Sequence, residues 1–204
     1  MRRALALAWE AVLFEVALYR SLARWVARRP DVPAGTTPIG YGQLAGPMMW
    51  LWIFGSAVEV VVLDVVLHRW LPAARLPFLV LGVWGVVWML GLLASMRVRP
   101  HLVADTHLVV RSGARTRVVV PLVALAGVQA ATHEVPGLVR TLQELDGLML
   151  VGMGETNLEL ALTGPTTLET ARGPWTVERV GLYVDDPREV ATLLRRAAEV
   201  VARP

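Results

Sequence analysis

The chain of 204 residues contains no cysteine and no lysine. Without cysteine, disulfides, zinc–thiolate sites and iron–sulfur clusters are excluded. All 20 basic residues are therefore arginine, and an Ala/Val/Leu/Arg-rich chain without lysine fits a GC-rich bacterial genome and says nothing of function. Charge is scarce as well. Only 18% of residues are charged, against about 25% in ordinary soluble domains. What fills the space is apolar: 55% of the chain, with a mean hydropathy of +0.51. That composition excludes a disordered chain and disfavours a fully water-soluble one.

The net charge of +3 is unevenly placed. Residues 1–46 carry six arginines against Glu10, Glu15 and Asp31. Residues 47–96 carry Arg69 and Arg75 against Glu59 and Asp64, and residues 97–204 balance twelve arginines with twelve acids. The whole excess lies in the N-terminal arm. A neutral C-terminal half lacks the clustered basic face that nucleic acid requires, whereas a basic arm beside an apolar segment suits an anionic membrane surface.

Leu76 to Met96 is 21 residues without a charge, and roughly 20 such residues cross a hydrocarbon core as a helix. Pro47 to Leu67 is the second candidate, interrupted by Glu59 and Asp64. A carboxylate at a helix centre costs about 3 kcal/mol on insertion scales, which the surrounding apolar residues can offset. His68-Arg69-Trp70-Leu71-Pro72 separates the two. Spans over about 47–69 and 76–96, joined so tightly, predict an antiparallel transmembrane hairpin. Arginine is concentrated on the outer flanks of the pair: Arg20, Arg24, Arg28 and Arg29 on one side, Arg97, Arg99, Arg111, Arg115 and Arg117 on the other. Both termini are thus expected in the cytoplasm of a bacterial plasma membrane, with the turn outside.

Residues 1–30 read as an amphipathic interfacial helix. On a helical wheel Arg3, Glu10, Arg20, Ser21, Arg24 and Arg28 share one face, and Trp9, Phe14, Leu18, Leu22 and Trp25 lie largely away from it. A third span and a signal peptide are the alternatives. Glu10 and Glu15 count against both, and no clear cleavage site follows. Residues 31–46 form a Pro/Gly-rich linker.

From Arg97 the pattern changes to short strands. Leu108–Arg111 and Arg115–Val120 flank Ser112-Gly113 and predict a hairpin. Leu158, Leu160 and Leu162 alternate with Asn157, Glu159 and Ala161, so one face should be buried. Leu148–Val151 precedes them across Gly152-Met153-Gly154, which reads as a hairpin turn. Val180, Leu182 and Val184 alternate likewise. Asp186-Pro187-Arg188-Glu189 is a helix start, with Asp at the N-cap, Pro at the first helical position and Glu at the third. Val190, Leu193, Leu194, Ala197 and Val201 then follow at helical spacing. The expectation is a mostly-β domain closed by a C-terminal α-helix.

The stretch Asp105-Thr106-His107-Leu108-Val109-Val110-Arg111-Ser112-Gly113, with Val118-Val119-Val120-Pro121-Leu122 and Gly127-Val128, resembles the opening of bacterial pleckstrin-homology-like (PH-like) domains. These often follow a two-helix hairpin on the cytoplasmic side. Over most of its length the chain also resembles an uncharacterised group of actinobacterial integral membrane proteins. That likeness includes Tyr19-Arg20-Ser21-Leu22, Arg28-Arg29-Pro30-Asp31-Val32-Pro33, Thr156-Asn157 and Asp185-Asp186-Pro187. The resemblance implies a fold and a location, and no activity.

Four constellations carry chemistry. Glu59 falls near the centre of the first span and should face Trp84, with Trp88 one turn on. It reads either as a proton or cation site, or as a neutral carboxyl held by a Trp N–H, by Ser56 or by another subunit. Asp64 and His68 share a helix face, as a pH-sensing pair or as a snorkelling, water-exposed one. His101, Asp105 and His107 have metal-ligand chemistry, but Ala104-Asp105-Thr106 reads as a turn, and no metal is expected. Arg111, Arg115 and Arg117 flank the first hairpin turn, similar in placement to the basic hairpin with which many eukaryotic PH domains hold lipid phosphates. They read as an anion or headgroup site or as solvated residues near an anionic leaflet. No catalytic residues and no cofactor are expected, because no nucleophile–base motif or phosphate loop is present.

Three functions of different class follow, of which a membrane enzyme using Glu59, Asp64 or the histidines has the least support. One is a non-enzymatic membrane adaptor whose β domain binds a protein or a lipid headgroup at an anionic cytoplasmic face. Another is a subunit of a small oligomeric transporter or channel, a homo-oligomer using Glu59.

Overall fold

The computed structural model describes residues 2–43, 46–135, 142–152, 154–170 and 173–202. They divide into a helical unit, residues 1–29 and 43–95, and a β unit, residues 30–42 and 96–204. Met153 of the expected Gly152–Gly154 turn lies outside the described residues, as does the side chain of Arg3.

Three helices build the first unit: α1 (Arg2–Val26), α2 (Gly46–Trp70) and α3 (Pro72–Val98), whose last residues belong to the β unit. Leu71 alone separates α2 from α3, and Pro72, with no N–H to lose, opens the new helix. The two run antiparallel. A Cβ placed on Gly82 would lie 2.5 Å from Val60 Cγ2, so the helices touch where glycine leaves room. That contact is one residue from the pairing expected from the turn.

Helix α1 departs from the expected wheel. Leu18 is fully buried, and a Cβ on Gly91 would lie 3.2 Å from Leu18 Cβ. Phe14 meets Trp88 and Trp25 meets Trp50, each at 6.3 Å between ring centroids. Ser21, assigned to the polar face, is buried here instead. Its hydroxyl donates to the Ala17 carbonyl at 2.7 Å, so it enters an apolar contact with no unmet hydrogen bond. Trp9, Val12 and Val16 stay exposed. The apolar residues of α1 are thus divided between two sides of the helix, because α3 needs only one of them.

Among its described residues the β unit holds eleven strands. The 31–46 segment, expected as a linker, supplies one of them. Strand β1 (Thr37–Ile39) pairs antiparallel with β2 (His101–Val103) at the edge of the main sheet. Next come β3 (His107–Ser112) and β4 (Thr116–Pro121), the expected hairpin, with Gly113 at φ +57° in its turn. A 3-10 turn over Leu122–Ala124 leads to β5 (Leu125–Gln129). There follow β6 (His133–Val135), β7 (Leu142–Leu145), β8 (Leu148–Val151), β9 (Gly154–Thr156), β10 (Leu158–Thr170) and β11 (Gly173–Leu182). The order in the main sheet is β1-β2-β3-β4-β10-β11-β8-β7, with β5 also on β10; β6 and β9 form a separate pair.

Strand β10 organises this sheet. Its far end, Glu169–Thr170, pairs with β4, its near end, 159–162, pairs with β5, and β11 runs beside it throughout, with a register shift between Ala161 and Thr166. The expected turn from Leu148–Val151 straight into Leu158 is not formed. Strand β8 instead lies parallel to β11, with Arg179 beside Leu148, and β9 turns away to pair with β6. A parallel neighbour cannot be reached by a tight turn, so the chain passes through β9 and β10 first.

Leu158, Leu160, Val180, Leu182 and Val184 are all fully buried, as the alternation predicts. Each such side chain contributes about 1.5–3 kcal/mol. Glu159 breaks the alternation, since it is buried too. Strands flank it on both edges, and Gln129 and His133 cover its carboxylate. Helix α4 (Pro187–Ala202) begins as expected, the Asp186 carboxylate accepting from the N–H of Arg188 (3.1 Å) and Glu189 (3.0 Å). Val190, Ala191 and Leu194 face the core. Asp186→Ala is expected to lower the stability of the β unit by about 1 kcal/mol, read from chemical unfolding. A change within about 0.3 kcal/mol would show that Pro187 sets this helix start by itself.

Candidate functional site

In the helical unit a cleft of about 460 Å³ runs between α2 and α3, lined by Ser56, Glu59, Asp64, Gly85 and Trp88 among others. The residues singled out on the two apolar helices therefore meet here, with one exception. The Trp84 indole N–H donates to the Tyr19 hydroxyl at 2.6 Å and so does not hold Glu59. The expected Trp84–Glu59 pair fails because α1 brings a competing acceptor that the hairpin by itself lacks.

Asp64 has a partner that sequence spacing missed. Arg75, eleven positions on, donates from Nε and Nη2 to the two carboxylate oxygens at 2.7 and 2.9 Å. Its Nη1 donates to His68 Nδ1 at 3.2 Å. The Asp64–His68 pair is thus a triad centred on a forked guanidinium, made possible by the one-residue turn. Glu59 receives no hydrogen bond or ion pair among the described residues.

In the β unit the basic hairpin separates. Arg117 and Arg115 are exposed, but Arg111 is buried, with 9% of its side chain accessible. Its Nη1 donates to the Asp31 carbonyl at 2.9 Å and lies 3.5 Å from the Asp31 carboxylate. Arg99 approaches the same carboxylate at 3.8 Å, and the Asp31 N–H donates to the Val98 carbonyl at 2.7 Å. The expected three-arginine headgroup site is therefore corrected. Arg111 fastens the segment before β1, and Arg99, which sequence reading did not single out, shares its carboxylate. Burial pulls the Arg111 guanidinium below the usual arginine value; Asp31 opposes that, and Arg99 and Arg117 add to it.

Beside Arg111 lies a buried lock. The His101 ring is stacked on Tyr41, with centroids 4.5 Å apart and planes 22° from parallel. His101 Nδ1 accepts the Arg111 backbone N–H at 2.9 Å, and Nε2 donates to the Tyr183 carbonyl at 2.9 Å. A backbone N–H can only donate and a carbonyl can only accept, so the neutral Nε2–H tautomer is the one that satisfies both. Burial pushes His101 down to about 4, against the pull of the Tyr183 carbonyl, and Arg111 adds to the fall. Both ring nitrogens are thus spent, which removes His101 from any metal site with Asp105 and His107. The Tyr41 hydroxyl accepts the Gly113 N–H at 3.1 Å, and burial pushes it up to about 12. A lone tyrosine in a Pro/Gly-rich stretch was the available signal for this role.

A second buried group gave no signal in the sequence. Glu159 accepts from Gln129 (2.9 Å) and His133 (2.8 Å), with Arg179 at 3.6 Å. Every partner lies on a different strand, so no local spacing announces the cluster.

The described residues thus comprise two apolar helices long enough to cross a membrane and a mostly-β unit. No protein-family model matches the chain, and neither a curated protein nor a solved structure does.

Proposed function

We propose that the chain is a non-enzymatic integral membrane protein of the bacterial plasma membrane. Its α2–α3 hairpin spans the bilayer and presents a PH-like domain in the cytoplasm, where that domain binds a protein or a lipid headgroup as a membrane adaptor. One observation carries this reading. Helices α2 and α3 have mean hydropathies of 2.0 and 2.2, yet only 6% and 11% of their most apolar stretches are buried within the protein. The core helix of a soluble protein would be mostly covered. Trp52, Phe54, Val61, Leu76 and Val80 instead form outward surfaces that water would not tolerate and acyl chains would. The PH-like reading is supported by the β3–β4 hairpin and by α4 packed on the strand core. The orientation rests on the arginine distribution. Arg97, Arg115 and Arg117, exposed and close in sequence to the end of α3, suit an anionic leaflet. Strands β1 and β7 end the main sheet, and an edge strand is where an extended peptide can add.

The test uses the full chain in native membranes. It should resist extraction by alkaline carbonate. A reporter fused after Pro204 should read as cytoplasmic, and Ala73→Cys, the sole thiol in the chain, should be labelled from outside by an impermeant maleimide. Release by carbonate, or an external signal at the C-terminus, would overturn the reading.

A further inference from the structure

We propose that the cleft between α2 and α3 binds a lipophilic organic cation, with Glu59 as its counter-charge. This rests on the hairpin spanning the bilayer. The volume, about 460 Å³, lies within the roughly 300–1,000 Å³ of small-molecule sites. Two acids line it, but they are not equivalent. Asp64 is neutralised by its two-pronged bond to Arg75, while Glu59 has no partner among the described residues. The cleft therefore presents one uncompensated carboxyl. Glu59 lies near the middle of the 25-residue α2, at a depth where an ionised carboxylate without a counter-charge is strongly disfavoured.

The remaining lining selects the class of ligand. Phe78, Trp88, Met89 and Leu63 are apolar or aromatic, and Gly85, where an added Cβ would meet nothing within 4 Å, leaves room in the wall. Phe14 supports the Trp88 ring from α1. A cation with an apolar body would set its charge against Glu59, cover apolar wall with the rest, and gain attraction from an aromatic face. A bare metal ion fits poorly. Calcium and magnesium take six or more oxygens, whereas Glu59 and Ser56 are the lining residues that offer uncommitted ones. An anion fits worse, since the nearby guanidinium of Arg75 is already engaged.

The experiment uses the full chain in phosphatidylcholine nanodiscs, with tetraphenylphosphonium as probe and tetraphenylborate, of the same shape and opposite charge, as control. Binding of the cation should saturate. Glu59→Gln, which keeps the side-chain shape, should lower affinity at least about tenfold, the size of a lost charged contact. Glu59→Asp should retain most of it, and tetraphenylborate should partition without saturating. Cation uptake that does not saturate, equal in the native chain and Glu59→Gln, would mean that acyl chains alone fill the cleft and would overturn the proposal. Saturable binding indifferent to Glu59→Gln would overturn the role of Glu59. A chain that never enters the discs would instead sink the membrane-spanning reading.

Discussion

Replacing His101 by alanine is expected to destabilise the β unit by about 4 kcal/mol, a large share of the 5–15 kcal/mol that holds a typical domain folded. The ring joins three segments distant in sequence: Tyr41 stacks on it, the Arg111 N–H donates to it, and it donates to the Tyr183 carbonyl. Removing it leaves two buried backbone groups without partners, at about 1–3 kcal/mol each. It also opens a cavity beside Tyr41, whose cost adds to these. His101→Phe separates the two contributions. It restores the volume and the stack but not the hydrogen bonds, so it should recover only the packing share. Chemical unfolding followed by the strand signal in circular dichroism measures both. An alanine variant within about 0.5 kcal/mol of the native chain would show that the lock stabilises nothing.

The same ring predicts an acid weakness. In the unfolded chain histidine takes a proton near pH 6.5; in the folded β unit it does so only at about 4. Between those values the unfolded state binds more protons, so stability falls as pH falls. The contribution is complete above about pH 6.5 and is lost as pH drops through about 4, for a total of about 3 kcal/mol. The chemical reason is visible in the site. A proton added to Nδ1 would face the Arg111 N–H, two donors with no acceptor between them. Carboxylates also titrate in this window, so the decisive quantity is the difference from His101→Phe, whose acid slope should be shallower. Equal slopes would mean that another group carries the acid response.

The local elements of this protein were legible because local rules govern them. The charge-free stretch after Leu76 requires a long helix, and alternation at Leu158–Leu162 requires a strand with one buried side. Asp186-Pro187 requires a helix start, since only certain side chains satisfy the first free N–H groups of a helix. These expectations failed where a residue's surroundings come from elsewhere in the chain. Arg111 looked like one of three exposed arginines, but Asp31, 80 positions away, draws it inward. Trp84 looked like a partner for Glu59, but Tyr19 takes its N–H.

The sequence by itself determined the two apolar helices, the change to strands at Arg97 and the capped C-terminal helix, because hydrophobic period and capping chemistry act over a few residues. Only the tertiary structure decided that the Pro/Gly-rich segment adds an edge strand and that β8 runs parallel to β11. It also decided that Arg75 neutralises Asp64 while Glu59 meets no partner among the described residues. Those outcomes depend on which donors and acceptors, distant along the chain, arrive within hydrogen-bonding reach of one another. Strand pairing and ion pairing are competitions among all candidates in the fold, and no short window of sequence contains the competitors.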